Sequence, residues 1–275
     1  VSPRFYRLLR ASSRFVLGQT MRQVVLHADR AELAHHGGPV FAPGRGGLLA
    51  VSHISHLEPF IVGSLLRSPV RWMAREEFYR SRIFRFVLRH GGAFSVDRFG
   101  FSLPAVRRAI RLVDEGHLVG IFPEGGVARG DYSMLRAGGR AARGGVCTVS
   151  IRTGAPIVPV VVLGTEQLSR VGPWLPPGGR GRLWIAFGQP VHPPARARED
   201  SPRALRLQLR ERLGEAFIRT FAELRAHANL PEGVLPEFTP AKLAEARARE
   251  ARYGGEAARV QGAQAHEGAR AGAAR

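Results

Sequence analysis

Between residues 47 and 228, short apolar runs alternate with longer segments of helical periodicity, and few folds accept that order. The runs lie at 47–53, 70–74, 93–97, 118–122, 157–163 and 182–188, and the helical segments at 59–67, 76–90, 102–115, 140–153 and 202–228. Strands separated by helices become parallel neighbours. The expectation is therefore an α/β domain with a mostly parallel central sheet flanked by helices. Ligands of such sheets bind beyond the carboxyl ends of the strands, so the residues that close each apolar run are the ones to read for chemistry.

The run Gly47-Leu-Leu-Ala-Val-Ser52 is short, apolar and bounded by glycines; it reads as a buried strand that delivers His53 to the sheet edge. Pro59-Phe-Ile-Val-Gly-Ser-Leu-Leu-Arg67 follows as a helix with proline near its first position, where the missing N–H costs nothing. Glu58 sits at the turn between them, and two readings of it compete. In one, Ser55-x-x-Glu58 is a capping box. Against that, a residue before proline is pushed out of the α region, which makes Glu58 an awkward third helical residue. In the other, His53 is a general base and Glu58 the carboxylate that orients it. The spacing alone does not choose, and His56 reads as polar surface.

Other strand ends carry companions. Val70-Arg-Trp-Met-Ala74 puts Arg75 at the mouth of a strand, either as a planar fork for phosphate or as a solvated arginine at a helix start. Ala93-Phe-Ser-Val-Asp-Arg98 ends in a charged pair. Leu118-Val-Gly-Ile-Phe-Pro-Glu-Gly-Gly126 delivers Glu124 into a glycine turn whose amides can approach a ligand closely; a plain cap or ion pair is the alternative for Glu124. Pro159 interrupts the apolar run 157–163. Proline removes a ladder donor, so that strand is expected to lie at an edge there or to bend.

Charge narrows the partners. The chain of 275 residues has 41 basic and 22 acidic residues, a net charge of +19, and Lys242 is its only lysine. Such a balance calls for an anionic partner: a membrane surface, a phosphorylated substrate or nucleic acid. The arginines are spread along the chain without zinc-finger spacing or an aromatic RNA-binding signature, which disfavours nucleic acid. Cys147 is the sole cysteine, so an internal disulfide and a cysteine-built metal site are both excluded.

No secretory signal and no apolar run of membrane-spanning length is present. Residues 1–38 form an N-terminal segment, helix-like from 2 to 36. There Phe5, Leu8, Leu9, Phe15, Val16, Val24 and Val25 stand among Arg4, Arg7, Arg10, Arg14 and Arg22. Such a segment suits an interfacial helix on anionic lipid and equally an amphipathic helix packed on a core. Pro39 to Gly47 is a loop opening a catalytic domain, 39–235, and the Ala/Arg/Gly/Glu-rich tail 236–275 is expected to be disordered, with a frayed helix at most.

Four blocks in order, His53-x4-Glu58, Arg75-Glu-Glu-Phe78 with Val96-Asp-Arg98, Phe122-Pro-Glu-Gly125, and Pro156-Ile-Val-Pro-Val160 with Gly164-Thr165, resemble the glycerolipid acyltransferase family, whose best-known members are 1-acylglycerol-3-phosphate acyltransferases. The resemblance covers about residues 45–190. It implies that His53 is the base and that Glu58 takes the place of the family's aspartate, one methylene longer. It implies that Arg75 and Arg98 hold the acceptor's phosphate, that Glu124 and Gly125 belong to the acceptor site, and that Pro159 shapes the acyl site. Gly126 and Val127 replace the threonine and arginine usual after Phe-Pro-Glu-Gly, with Arg129 the candidate for the missing arginine.

The implied reaction moves a fatty acyl group from acyl-CoA or acyl carrier protein to the hydroxyl of a lysophospholipid such as 1-acylglycerol 3-phosphate. It needs no acyl-enzyme, metal or redox cofactor, and takes place peripherally on the cytoplasmic face of an anionic membrane. The alternatives are another acceptor, such as glycerol 3-phosphate or an amino-acid lipid, and a non-catalytic basic lipid-binding protein.

Overall fold

The computed structural model describes residues 3–36, 46–75, 80–96, 103–136, 139, 142–170, 181–195, 201–248 and 251. Two compact units divide the chain, Val1–Pro236 and Glu237–Arg275. In the second, residues 240–248 are helical.

Among the described residues the first unit carries seven strands: β1 Met21–Leu26, β2 Gly47–Val51, β3 Val70–Arg75, β4 Phe94–Val96, β5 Leu118–Ile121, β6 Ile157–Leu163 and β7 Gly181–Phe187. They form one sheet in the order β1-β7-β6-β2-β5-β3-β4, parallel at every pairing except β6 with β7. The expected α/β architecture is the one found. Every residue of β2, β5 and β6 is buried, as strands covered on both faces require. The helices are α1 Pro3–Thr20, α2 Asp29–His36, α3 Glu58–Leu65, α4 Arg82–Gly91, α5 Leu103–Asp114, α6 Gly145–Thr153 and α7 Pro202–Ala228. α1 packs on α3 and α4, α6 lies between α5 and α7, and α7 covers β6 and β7. Ser201 caps α7 by accepting from Arg203 N–H at 3.2 Å, and Pro202 fills the first helical position.

Two expectations need correction. The segment read as helix from 2 to 36 is broken by β1, which pairs in parallel with β7 from Met21↔Gly181 to Leu26↔Ala186. The long-range ladder overrides the local helical pattern: without β1, the β7 edge of the sheet would be left unpaired. Gly181 makes room for it, since a Cβ there would collide with the Met21 sulfur.

Of the two expectations for Pro159 the edge position is the one to correct, for β6 is an interior strand between β2 and β7. Gly188 N–H donates to Pro159 O at 2.8 Å, so the ring nitrogen faces the β7 side, one step beyond the last ladder pair Val160↔Phe187. The missing donor therefore falls where that ladder is already ending. A Cβ on Gly188 would press on the Pro159 ring at 2.7 Å, so glycine there lets the chain pass.

The order of the parallel strands β6-β2-β5-β3 decides where chemistry can gather. Their carboxyl ends lie along one edge, with the end of β2 flanked by those of β6 and β5.

Candidate active site

The chain leaves β2 tied to β6. Ser52 N–H donates to Val160 O at 2.9 Å, and the Ser52 hydroxyl accepts from Val162 N–H at 2.9 Å. His53 is the next residue, 8% exposed. Glu58 opens α3 and is fully buried, and its Oε2 lies 3.3 Å from His53 Nδ1. Its Oε1 accepts from Ile54 N–H at 3.2 Å, from Ser55 N–H at 2.6 Å and from the Thr165 hydroxyl at 2.9 Å. The capping box forms only in part: Glu58 accepts from Ser55 N–H, but Ser55 Oγ takes Leu57 N–H at 3.1 Å and α3 begins after Leu57 without a side-chain cap, while the second carboxylate oxygen faces the imidazole.

With Nδ1–H given to the carboxylate, the imidazole keeps Nε2 as an acceptor, the tautomer a general base needs. Phe122 stacks on the imidazole with centroids 4.0 Å apart and planes 24° apart, and Trp72 stacks behind it at 5.5 Å. Trp72 has room because its partner in register is Gly120, where a Cβ would run into the indole. His56, read as surface, lies edge-on to His53 at 5.5 Å and is exposed.

The segment after β5 grips the same turn from the other side. Glu124 is 1% exposed; its Oε2 accepts from His53 N–H at 2.7 Å and its Oε1 from Met134 N–H at 3.0 Å. Both oxygens are thus engaged with main chain, one of them at His53 itself. Ala128 N–H donates to His53 O at 2.7 Å, and Arg129 reaches Ile54 O through Nε and Nη2 at 3.4 and 3.2 Å. Arg129 therefore stands at the site, bound to the turn that carries the histidine. Gly125 has φ +70°, a conformation that favours glycine, and a Cβ there would meet the Arg143 guanidinium. Its N–H is spent inside the turn, on Phe122 O at 3.0 Å, so it is not the ligand-facing amide that the sequence suggests.

Arg75 closes β3 at the same sheet edge, although its side chain lies outside the described residues, as do Asp97 and Arg98 altogether. Pro159 pairs with Ala50 and so lies in the body of the sheet, three residues short of the level of His53. Two side chains at the site had no role in the sequence reading. Thr165 closes the β6 run and was legible as a polar strand end; Arg143 stands well outside the motif and carried no local signal. Cys147 is buried in α6, and burial pushes its thiol up to about 12, which leaves it chemically inert. Among the described residues no group of three or more His, Cys, Asp or Glu side chains could hold a metal ion.

Burial pushes the Glu58 carboxyl upward, but the hydrogen bond and charge of His53, with the amides of the turn, outweigh it and hold Glu58 below the usual carboxylate range. A depressed carboxyl adds stability that is present above its unfolded value near 4.5 and is lost as pH falls through the lower folded value. Denaturation midpoints followed from pH 7 to pH 3 should therefore fall more steeply for the native chain than for Glu58→Gln, the gap narrowing once pH drops below the unfolded value near 4.5. A constant gap over that range would mean that Glu58 titrates alike in the folded and unfolded states, and a native chain that gains stability on acidification would mean that its carboxyl is held neutral in the fold.

The Acyltransferase family model matches residues 32–163. A 1-acyl-sn-glycerol-3-phosphate acyltransferase of Bacillus subtilis (strain 168) is 25% identical over 148 residues, which span 54% of this chain and 67% of that protein. The crystal structure of the 1-acyl-sn-glycerophosphate (LPA) acyltransferase PlsC from Thermotoga maritima superposes with a TM-score of 0.55, covering 81% of this chain and 79% of that one; at 18% identity the likeness is one of fold. The matched region holds His53, Glu58, Glu124 and Pro159 in the order the motif blocks require, and residues 32–163 thus form an acyltransferase domain similar to those of 1-acylglycerol-3-phosphate acyltransferases.

Proposed function

We propose that this acyltransferase moves a fatty acyl group from acyl-CoA or acyl carrier protein to the free hydroxyl of a lysophospholipid such as 1-acylglycerol 3-phosphate, in phospholipid biosynthesis, with His53 as general base. The observation that carries this reading is the 3.3 Å approach of a fully buried carboxylate to His53 Nδ1 at the carboxyl edge of the sheet. The acceptor oxygen attacks the thioester carbonyl as Nε2 takes its proton; the C–S bond then breaks, and the imidazolium returns the proton to the departing thiolate. Glu58 stabilises the transient imidazolium. The step changes no oxidation state, and we assign it no metal and no redox cofactor. General-base catalysis of this kind contributes about 10²- to 10⁴-fold. His53→Ala should lower kcat by at least that factor in acyl transfer from radiolabelled acyl-CoA or acyl carrier protein, in a chain that circular dichroism shows still folded although with a lower melting temperature, because Glu58 loses a partner. Activity near the native level would reject the role.

For the acceptor we assign the phosphate to Arg75, at the mouth of β3, with Arg98 as its companion. A guanidinium that pairs with phosphate in ground and transition states alike lowers KM without raising kcat. Arg75→Ala should accordingly raise KM for a phosphorylated lysolipid and leave a phosphate-free one unaffected. Equal losses on both would remove Arg75 from the phosphate site. The departure at Gly126 and Val127 favours testing glycerol 3-phosphate and amino-acid lipids in the same panel.

A lipid product calls for a membrane surface, and we propose peripheral attachment to the cytoplasmic face of an anionic membrane through α1 and α4. Leu8, Phe15 and Val16 are 67%, 68% and 53% exposed on α1, and Phe86 is 52% exposed on α4. Phe5 joins the two helices edge-on to Phe86 at 5.4 Å. Arg4, Arg7 and Arg14 on α1 and Arg82, Arg85 and Arg89 on α4 are exposed as well. Each adds about 1 kcal/mol near an anionic surface, on top of apolar burial. Among the described residues no helix is long and apolar enough to cross a membrane. Replacing Leu8, Phe15 and Phe86 together by serine should abolish flotation with anionic liposomes, and added salt should weaken the native chain's binding. Binding that survives the triple replacement would move the contact elsewhere.

A further inference from the structure

We propose that Thr165 is a positioning residue for the acyl-transfer step, clamping the outer oxygen of Glu58 so that the inner one is presented to His53. The proposal rests on the reading of His53 as general base. Glu58 is one methylene longer than the aspartate of the resembled motif, and a longer carboxylate has one more rotor to place. Three donors converge on its Oε1: Ile54 N–H at 3.2 Å, Ser55 N–H at 2.6 Å and the Thr165 hydroxyl at 2.9 Å. Oε2 is left facing Nδ1 at 3.3 Å. The two amides belong to the same turn as the glutamate and move with it. Thr165 stands 107 residues away, at the end of the neighbouring strand, and ties the carboxylate to the sheet.

The clamp is itself held rigidly. Thr165 is fully buried, so its hydroxyl needs a partner, and Glu58 supplies it. Gly164 turns the chain there with φ +85°, and a Cβ at that position would collide with Arg182 O, so the turn is packed closely against β7. With the hydroxyl removed, the carboxylate keeps the two amides but loses its one tie to the neighbouring strand end, and the imidazole loses a tightly fixed acceptor for Nδ1–H. Substrate binding is untouched, because Thr165 acts through Glu58.

The near-isosteric Thr165→Val should lower kcat about 10- to 100-fold, the scale of losing one charge-assisted hydrogen bond, with acceptor KM within about twofold of native. Thr165→Ser, which keeps the hydroxyl, should recover most of the rate. In a Glu58→Asp background the carboxylate falls a methylene short of the clamp, so adding Thr165→Val should cost less than about twofold.

Native kcat in Thr165→Val beside an inactive His53→Ala would overturn the clamp and leave the general base standing. Failure of Thr165→Ser to recover the rate, or an equal loss from Thr165→Val in both backgrounds, would reduce Thr165 to a packing residue. Near-native activity in His53→Ala would instead reject the general-base reading, and the clamp with it. Should the valine variant not fold, Thr165→Ala and Thr165→Ser read the same kcat against KM split.

Discussion

A carboxylate taken wholly out of water loses several kcal/mol of solvation even after the protein relaxes, and it stays charged only if donors surround it. Glu58 is that group here, and the architecture around it reads as the answer to its burial. Two amides of its own turn, a hydroxyl from just beyond β6 and the imidazole of His53 supply four contacts to two oxygens. Charge-assisted bonds of this kind contribute about 1.5–3 kcal/mol each, enough together to hold the carboxyl ionised. The geometry that solves the solvation problem also aims one oxygen at the histidine. Stability and chemistry thus depend on the same contacts.

Glu124 repeats the principle one strand away. It too is buried, and its oxygens take the N–H groups of His53 and Met134. Between them, the two glutamates and the segment 128–129 satisfy the N–H and C=O groups of both His53 and Ile54. A loop so fully bonded is held in place, which suits the base proposed for His53, since such a group must meet a substrate oxygen at hydrogen-bond distance. The glycines serve the same end. Gly120 admits the Trp72 ring on which Phe122 rests, and Gly125 turns the chain over Arg143.

The arginine excess is spent in more than one way. Arg129 and Arg210 donate to backbone carbonyls, at Ile54 and Ala142, and Arg30 does so at Phe187. Others stand exposed on α1 and α4 beside apolar side chains that the fold leaves uncovered. A bare count of charges merges these classes; burial separates arginines that hold loops from those available to an anionic surface.

Elements and motifs were legible because they are written locally. Short apolar runs marked β2, β5 and β6, Pro59 marked the start of α3, and the polar residues closing the runs, His53 and Glu124, proved to lie together. The missing pieces are those no local pattern encodes. β1 was hidden in a helical pattern because its strand state comes from pairing with β7, some 160 residues onward. The place of Pro159 in an interior strand depended on where the β7 ladder stops. That Glu124 binds the amide of His53, 71 residues away, and that Thr165 reaches Glu58 across 107, follows from strand order. The amino-acid sequence by itself determined which residues stand at strand ends and that the sheet is mostly parallel; only the tertiary structure decided which ends are neighbours. Propensity acts over a few residues, whereas hydrogen-bond partners of buried carboxylates are chosen by the packing of distant strands.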